Sequence, residues 1–188
     1  MKSGKFATFS HRALNAALAS ALVLGGPGLA VNAYAATAAG TATATVLAPI
    51  AVTKATDLVF GSFAPGAGGT VTVSTSGART GSGVILSAVT ATPTAARFNV
   101  TGTGSATYSI AYTGTATAIA STATPADTMA FAHVSDLTAA GAITGTVSSG
   151  TLTAGAQSIY VGGVLTVGAA QAAHADYTGA VAVVVEYN

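Results

Sequence analysis

The sequence predicts an all-β protein folded as an antiparallel sandwich or barrel, and three observations indicate this fold class. Threonine and valine, whose branched β-carbons favour a pleated surface over a helix, recur throughout the chain after residue 36. Short runs of alternating apolar and polar residues are separated by clusters rich in glycine, proline and serine. The segment 181–187 begins with strict alternation, and Val181, Val183, Val185 and Tyr187 fall on one face of an extended strand.

Residues 1–35 have the pattern of a secretory signal peptide. Three basic residues precede and flank an apolar stretch at 13–25, and the small residues Ala33 and Ala35 form a cleavage motif before Ala36. Glycines and a proline at 25–28 interrupt the apolar stretch before it reaches the about 20 residues that a membrane-spanning helix needs. We therefore expect export through the inner membrane, cleavage, and no membrane span in the mature chain.

The composition of the mature chain narrows the possible partners. Three basic residues, Lys54, Arg79 and Arg97, stand against five acidic ones, which gives a formal net charge of −2. Without a basic stripe, nucleic-acid binding is not expected. So low a charge opposes self-association only weakly, which indicates a chain that either functions inside an assembly or presents a neutral surface of threonine, serine and glycine. The sequence contains no cysteine, so neither disulfides nor a lipid-modified cysteine are expected.

The segment 36–53 is predicted to be an N-terminal strand or a donor-strand extension, followed by a β-sandwich domain at 54–188. Even-numbered residues from 42 to 52 are apolar, threonines occupy positions 41, 43 and 45, and Pro49 interrupts the pattern. A strand of this kind can complete the sheet of a neighbouring subunit by β-augmentation, or it can be the first strand of its own sheet. The residues alone leave both alternatives open.

The remaining strands follow in order, each bounded by turn residues. The first, at 41–53, continues the alternation described above, and the last, at 177–187, contains the valine-rich face. The pair 157–161 and 164–167 is predicted to be a hairpin, because Gly162 and Gly163 permit the positive φ angles of a two-residue turn. All predicted strands lie at 41–53, 70–75, 83–90, 97–101, 106–112, 128–134, 142–147, 157–161, 164–167 and 177–187.

Several short segments resemble known bacterial β-domains. Segment 57–63 (DLVFGSF) is similar to the signature near the start of spore coat protein U domains, the pilin type of archaic chaperone–usher fibres. A related family of secreted β-domains of unassigned function, also regarded as fimbria-like, resembles this chain from about residue 42 onward. The segments that carry this second resemblance are 69–74 (GTVTVS), 162–165 (GGVL), 177–179 (YTG) and 181–187 (VAVVVEY).

The resemblance implies an incomplete immunoglobulin-like domain that assembles by donor-strand exchange. A periplasmic chaperone would first supply the missing strand and an outer-membrane usher would drive polymerisation, so the chain would pass through the periplasm to the cell surface or beyond. By this resemblance Ala42, Ala44 and Val46 are donor residues. The strand that a chaperone or neighbour pairs with would present Val181, Val183, Val185 and the penultimate aromatic Tyr187.

Catalytic, cofactor and metal sites are not expected. The chain has no Gly-x-Ser-x-Gly elbow, P-loop or metal-spaced histidine pair. His133, Ser135 and Asp136 offer the residue types of a catalytic triad, but neighbouring strand residues point to opposite faces. The acids Asp57, Asp127, Asp136 and Asp176 do not form a calcium-loop pattern.

These observations predict a structural subunit of a bacterial surface fibre that assembles by strand complementation with copies of itself. Alanine donors bury little surface, so the alternative is a self-complete secreted adhesin or matrix domain with a recognition loop at 114–125. The predicted core comprises Leu58, Phe60, Phe63, Val71, Val73, Ile85, Phe98, Val100, Tyr108, Ile110, Ile159, Val164, Leu165, Val183 and Val185.

Overall fold

The computed structural model describes residues 36–88 and 92–188, and all regular structure within these ranges is β. The described part of the chain contains no helix long and apolar enough to cross a membrane. Its strands are β1 Ala51–Thr56, β2 Phe63–Ala64, β3 Gly69–Val73, β4 Arg79–Ser82, β5 Ile85–Leu86, β6 Ala96–Thr101, β7 Thr107–Ala111, β8 Ala118–Ser121, β9 Thr128–Asp136, β10 Ser149–Thr151, β11 Ala156–Val167, β12 Tyr177–Thr178 and β13 Val184–Tyr187.

The chain divides into two units, Met1–Thr43 and Ala44–Asn188. Residues 36–43 are the described part of the first unit, where they are exposed and form no strand. The second unit contains all the strands named above.

The twelve-residue strand β11 is the centre of the large sheet. Its first half pairs with β6 and its second half with β3, both along one edge, while β9 pairs with residues 160–166 along the other edge. The sheet order is β1-β6-β11-β9-β8-β12, with β4 added on the free side of β3. All of these pairings are antiparallel, as the sequence predicted.

The predicted hairpin at Gly162 and Gly163 is wrong, because both glycines lie inside the continuous strand β11. Because they lack a side chain, these glycines allow other parts of the protein to pack closely against β11. A β-carbon on Gly162 would lie 2.3 Å from the carbonyl oxygen of Val73, at the end of the neighbouring strand β3. A β-carbon on Gly163 would lie 2.3 Å from the ring of Phe131 on β9. A glycine in a strand often marks such a close approach, and here two adjacent ones do so on opposite faces.

A second sheet, with the order β10-β7-β13, packs against the β1-β6-β11 part of the large sheet and completes the β-sandwich. The core between them alternates along each strand: Ala96, Phe98 and Val100 of β6 face inward, while their neighbours face solvent or are half-buried. Fully burying an aliphatic side chain contributes about 1.5–3 kcal/mol, so these inward rows hold the sheets together. The buried members of this cluster are Ala96, Phe98, Val100, Tyr108, Ile110, Leu152, Ile159, Val161 and Val183.

A second buried cluster lies at the other end of the large sheet. It contains Val71, Met129, Phe131, Leu165 and Val167, and the Phe60 ring packs edge-on against Phe131 at a centroid distance of 6.0 Å. Leu58 and Val181 are half-buried and pack against both clusters, so they join the two cores. The all-β antiparallel sandwich predicted from the sequence is therefore confirmed.

Several predicted elements are wrong in detail. The first strand begins at Ala51 and not at residue 41, and residues 142–147 form no strand. The predicted recognition loop at 114–125 contains β8, which pairs with β9 and β12. Ile85 is 66% exposed, because it lies on the short two-stranded ribbon β2–β5 outside both cores.

Candidate strand-pairing site

The predicted pairing strand lies at an open sheet edge. Within residues 36–88 and 92–188, β13 pairs with β7 on one side and with no strand on the other. Val183 is buried, and Val185 and Tyr187 are half-buried on the same inward face, whereas Val184 and Glu186 face solvent. The period-two pattern read from the sequence therefore identifies the inward face of this strand.

The hydrogen-bond pattern determines which main-chain groups face the open edge. The N–H of Asn188 donates to the carbonyl of Thr107 at 3.2 Å, in the same register that pairs Glu186 with Ser109. Opposed residues in an antiparallel pair alternate between hydrogen-bonded and non-bonded positions. The main-chain groups of Val185 and Tyr187 consequently point away from β7, toward the open edge.

The predicted pairing strand 177–187 is interrupted before β13. Residues 177–178 form β12 at the edge of the large sheet, and the chain then crosses to the other sheet. At the crossing, the hydroxyl of Thr115 donates to the carbonyl of Ala182 at 2.8 Å and accepts from its N–H at 2.9 Å. This side chain takes the place of a neighbouring strand, so Val181 and Val183 are held by packing and not by a sheet ladder.

A cavity of about 300 Å³ opens beside the segment that leads into β13. It lies between the end of β1 and the segment leading into β13, and it reaches the core residues Ala96 and Phe98 of β6. Its remaining lining residues are Lys54, Asp57, Leu58, Gly179, Ala180 and Val181. Strand β1 is itself an edge strand, since β6 is its one partner in the described sheets. The edges of β1 and β13 lie on the same side of the sandwich, since the two strands are in contact, and the cavity opens near the end of β1.

An ion pair stands at the mouth of this cavity. The Lys54 ammonium lies 2.6 Å from the carboxylate of Asp57, with side chains 56% and 70% exposed, so the pair itself contributes little stability. Lys54 is in register with the buried Phe98 and thus occupies an inward-facing position of an edge strand. Inward-pointing charges on edge strands oppose indiscriminate edge-to-edge pairing, because the charge must stay hydrated.

Tyr187 ties β13 to the segment that precedes β1. Its hydroxyl accepts a hydrogen bond from the N–H of Thr103 at 2.7 Å and donates one to the carbonyl of Ala48 at 2.9 Å. The hydroxyl of Thr103 in turn accepts from the N–H of Ala48 at 2.6 Å. Gly102 makes room for the phenol, since a β-carbon there would lie 2.3 Å from the Tyr187 oxygen. The clamp has no signal in the sequence, because its partners are main-chain groups distant from Tyr187 along the chain.

The predicted donor residues are all exposed. Ala42, Ala44 and Val46 are exposed and lie outside any strand, and Val46 is 93% exposed. Of the predicted cleavage residues, Ala33 and Ala35 fall outside the described residues, and Ala36 is exposed.

The residues considered for a catalytic triad have other contacts. Ser135 is buried, and its hydroxyl accepts hydrogen bonds from Tyr112 Oη at 2.6 Å and from the N–H of Val147 at 2.9 Å. The ring of His133 packs against Tyr112 at 4.6 Å, and burial lowers the pKa of His133. Burial tends to raise the pKa of Asp136, but hydrogen bonds from Thr75 and three backbone N–H groups hold it below its ordinary value.

The acids considered for calcium binding are likewise held separately. Asp57 pairs with Lys54, and Asp127 accepts from His174 at 2.7 Å. The carboxylate of Asp176 binds the hydroxyls of Thr122 and Ser121 and the N–H of Ala123, which lower its pKa to about 2. Among the described residues no three histidine or acidic side chains are grouped closely enough to hold a metal ion.

Comparison with known proteins gives one match. A family model described as "Domain of unknown function (DUF4402)" matches residues 50–187, which includes every strand from β1 to β13. No curated protein and no solved structure matches the chain.

Proposed function

The chain belongs to the DUF4402 family, a domain of unknown function, and we propose that it is a structural subunit of a bacterial surface fibre in which copies join by β-strand complementation. The observation that carries this proposal is the open edge of β13, together with a cavity that opens beside the segment leading into this strand and reaches Ala96 and Phe98. A strand added at this edge would gain main-chain hydrogen bonds from Val185 and Tyr187 and would cover the cavity.

The N-terminal segment has the properties of the added strand. Residues 36–47 form no strand and precede the clamped Ala48, and an extended segment of twelve residues spans up to about 40 Å, far enough to reach a neighbouring copy. Ala42, Ala44 and Val46 would point to one side of such a strand, spaced about 6.7 Å apart. Small side chains suit a cavity of about 300 Å³ whose mouth is narrowed by Lys54 and Asp57.

The energetics favour assisted assembly. Each main-chain hydrogen bond contributes a net of about 0.5–1.5 kcal/mol, and an alanine methyl adds less than a buried valine or leucine. A strand of alanines therefore binds weakly before it is locked in place. We accordingly propose, in line with the resemblance to spore coat protein U domains, that a periplasmic chaperone and an outer-membrane usher handle the exported chain on its way to the surface.

The proposal is tested with two matched double variants of the full chain, exported and purified from a bacterial periplasm. In Ala44→Asp/Val46→Asp the charges lie on the predicted inserting face, and in Thr43→Asp/Thr45→Asp they lie on the opposite face. Size-exclusion chromatography and negative-stain microscopy should show ladders or fibres for the wild type and for the threonine variant. The Ala44/Val46 variant should be monomeric.

A self-complete secreted adhesin or matrix domain is the second candidate. It is favoured by the closed core, since Val100, Tyr108 and Ile159 are fully buried without any added strand. The same experiment separates the candidates: a wild-type chain that remains a monomer, also when a chaperone is co-expressed, contradicts the fibre subunit and supports the adhesin. Equal loss of assembly in both double variants would contradict a face-specific insertion.

A further inference from the structure

The outward face of the large sheet carries an ordered row of polar side chains on three adjacent strands. Thr53 of β1, Asn99 of β6 and Ser158 of β11 are in register, one beside the next. Arg97 and Tyr160 occupy the neighbouring row of the same face. Adjacent strands lie about 4.8 Å apart, so these five side chains form a flat surface, which we call the donor face. It lies on the opposite side of β6 from Ala96 and Phe98 and is therefore separate from the strand-pairing site.

Two hydroxyls on this face already donate to Asn99, and the donors uncommitted among the described residues are those of Arg97, Asn99 and Tyr160. The side-chain oxygen of Asn99 accepts from Ser158 Oγ at 3.2 Å, and its carbonyl accepts from Thr53 Oγ1 at 3.4 Å. Its amide N–H groups remain available. Within residues 36–88 and 92–188, the exposed guanidinium of Arg97 makes no hydrogen bond or ion pair, and the hydroxyl of Tyr160 makes no hydrogen bond.

The charges around the donor face leave Arg97 unbalanced. Lys54 and Asp57 neutralise each other on the inward side of β1. Asp136 is in register with Tyr160, two strands from Arg97, so the Cα atoms of the two charged residues lie about 10 Å apart, and no ion pair joins them in the described structure. Its carboxylate is also bound by Thr75 and by the N–H groups of residues 138–140. The face thus presents one positive charge among neutral donors.

We propose that the donor face binds an acidic polysaccharide. A sugar carboxylate can accept two parallel hydrogen bonds from the Arg97 guanidinium, a geometry that Lys could not offer. Sugar hydroxyl and ring oxygens are acceptors for the Asn99 amide and the Tyr160 hydroxyl. An extended acidic peptide fits less well, because it gains most of its affinity from main-chain pairing at a sheet edge. Arg97, Asn99 and Tyr160 lie on β6 and β11, which are paired on both sides, so this part of the donor face offers side chains only.

The test measures binding of the full, exported chain to polygalacturonate by affinity electrophoresis and titration calorimetry at about 20 and about 150 mM salt. Arg97→Gln should weaken binding about fivefold, the size expected for losing an exposed charge-assisted contact. Lys54→Gln removes the same charge from a site outside the face and should change affinity less than about twofold. Asn99→Asp, which replaces donors with a negative charge, should weaken binding at least as much as Arg97→Gln.

Three outcomes would overturn the proposal. The first is failure of wild-type protein to bind polygalacturonate at the lower salt concentration. The second is equal loss of affinity in the Arg97 and Lys54 variants, which would show that binding depends on the net charge of the protein and not on the donor face. The third is equally tight binding of polyglutamate or of fully methyl-esterified polygalacturonate, which would exclude a sugar carboxylate as the recognised group. Circular dichroism of each variant confirms that lost binding is not lost folding.

Discussion

Removing the hydroxyl of Tyr187 tests whether the clamp between the two ends of the β-domain contributes to stability. Tyr187→Phe deletes the acceptor for the Thr103 N–H and the donor to the Ala48 carbonyl, at 2.7 and 2.9 Å. At a net value of about 1 kcal/mol each, the two bonds predict a loss of about 2 kcal/mol in the free energy of unfolding. For a domain of this size that corresponds to a fall in Tm of about 4–8 °C.

The assay is urea and thermal denaturation followed by circular dichroism, with Tyr160→Phe as the matched control. The Tyr160 hydroxyl has no hydrogen bond to any described residue, so its removal should change the free energy of unfolding by less than about 0.5 kcal/mol. Amide hydrogen exchange at Thr103 should also accelerate in Tyr187→Phe alone. The reasoning is refuted if Tyr187→Phe is as stable as the wild type, or if both variants lose the same stability.

Three further predictions concern packing, pH and a buried hydroxyl. Gly162→Ala should lower the free energy of unfolding by at least about 2 kcal/mol in chemical denaturation, because the new β-carbon meets the backbone of Val73. Gly168→Ala, where no atom lies nearer than 3.9 Å to the new β-carbon, should be tolerated, and equal effects of the two changes would contradict the close-packing role. The pKa of Asp176 is depressed, so the stability that its ionised carboxylate contributes is complete above the ordinary pKa of 3.8 and is lost as the pH falls toward about 2. Asp176→Asn should flatten the fall in Tm across this pH window, and an unchanged slope would contradict a contribution from this carboxylate. Tyr108→Phe should leave the free energy of unfolding unchanged or raise it by up to about 1 kcal/mol, since this fully buried hydroxyl has no hydrogen-bond partner within the described ranges. A clear destabilisation in urea would contradict the reading of this hydroxyl as unpaired.

Sequence periodicity predicted the faces of strands better than their ends. The alternation at 181–187 identified Val183 and Val185 as inward-facing, because burial imposes a period of two wherever the chain is extended. It did not reveal that the hydrogen-bonded ladder begins at Val184, since the interruption depends on the Thr115 side chain from a distant segment. The same limit applies to the N-terminal alternation, which predicted a strand from residue 41 that begins at Ala51.

Glycine pairs were the least informative signal in the sequence. Two adjacent glycines permit a tight turn, but they equally permit other chain segments to approach the backbone, and Gly162 and Gly163 do the latter. Which alternative holds depends on Val73 and Phe131, whose positions follow from the assembled sheet. The Tyr187 clamp and the donor face depend in the same way on register between strands, which no local pattern in this chain encodes.

The central position of β11 has a consequence for the timing of folding. Strands β3, β6 and β9 all pair with it, yet it comprises Ala156–Val167 and is synthesised after each of them. A chain emerging with its N-terminus first therefore lacks the common partner of three strands until most of the domain has been made, and pairings so distant in sequence form slowly. If the chain is exported as proposed, this delay keeps it unfolded and able to thread through a translocation channel, and the sandwich closes only after β11 has crossed.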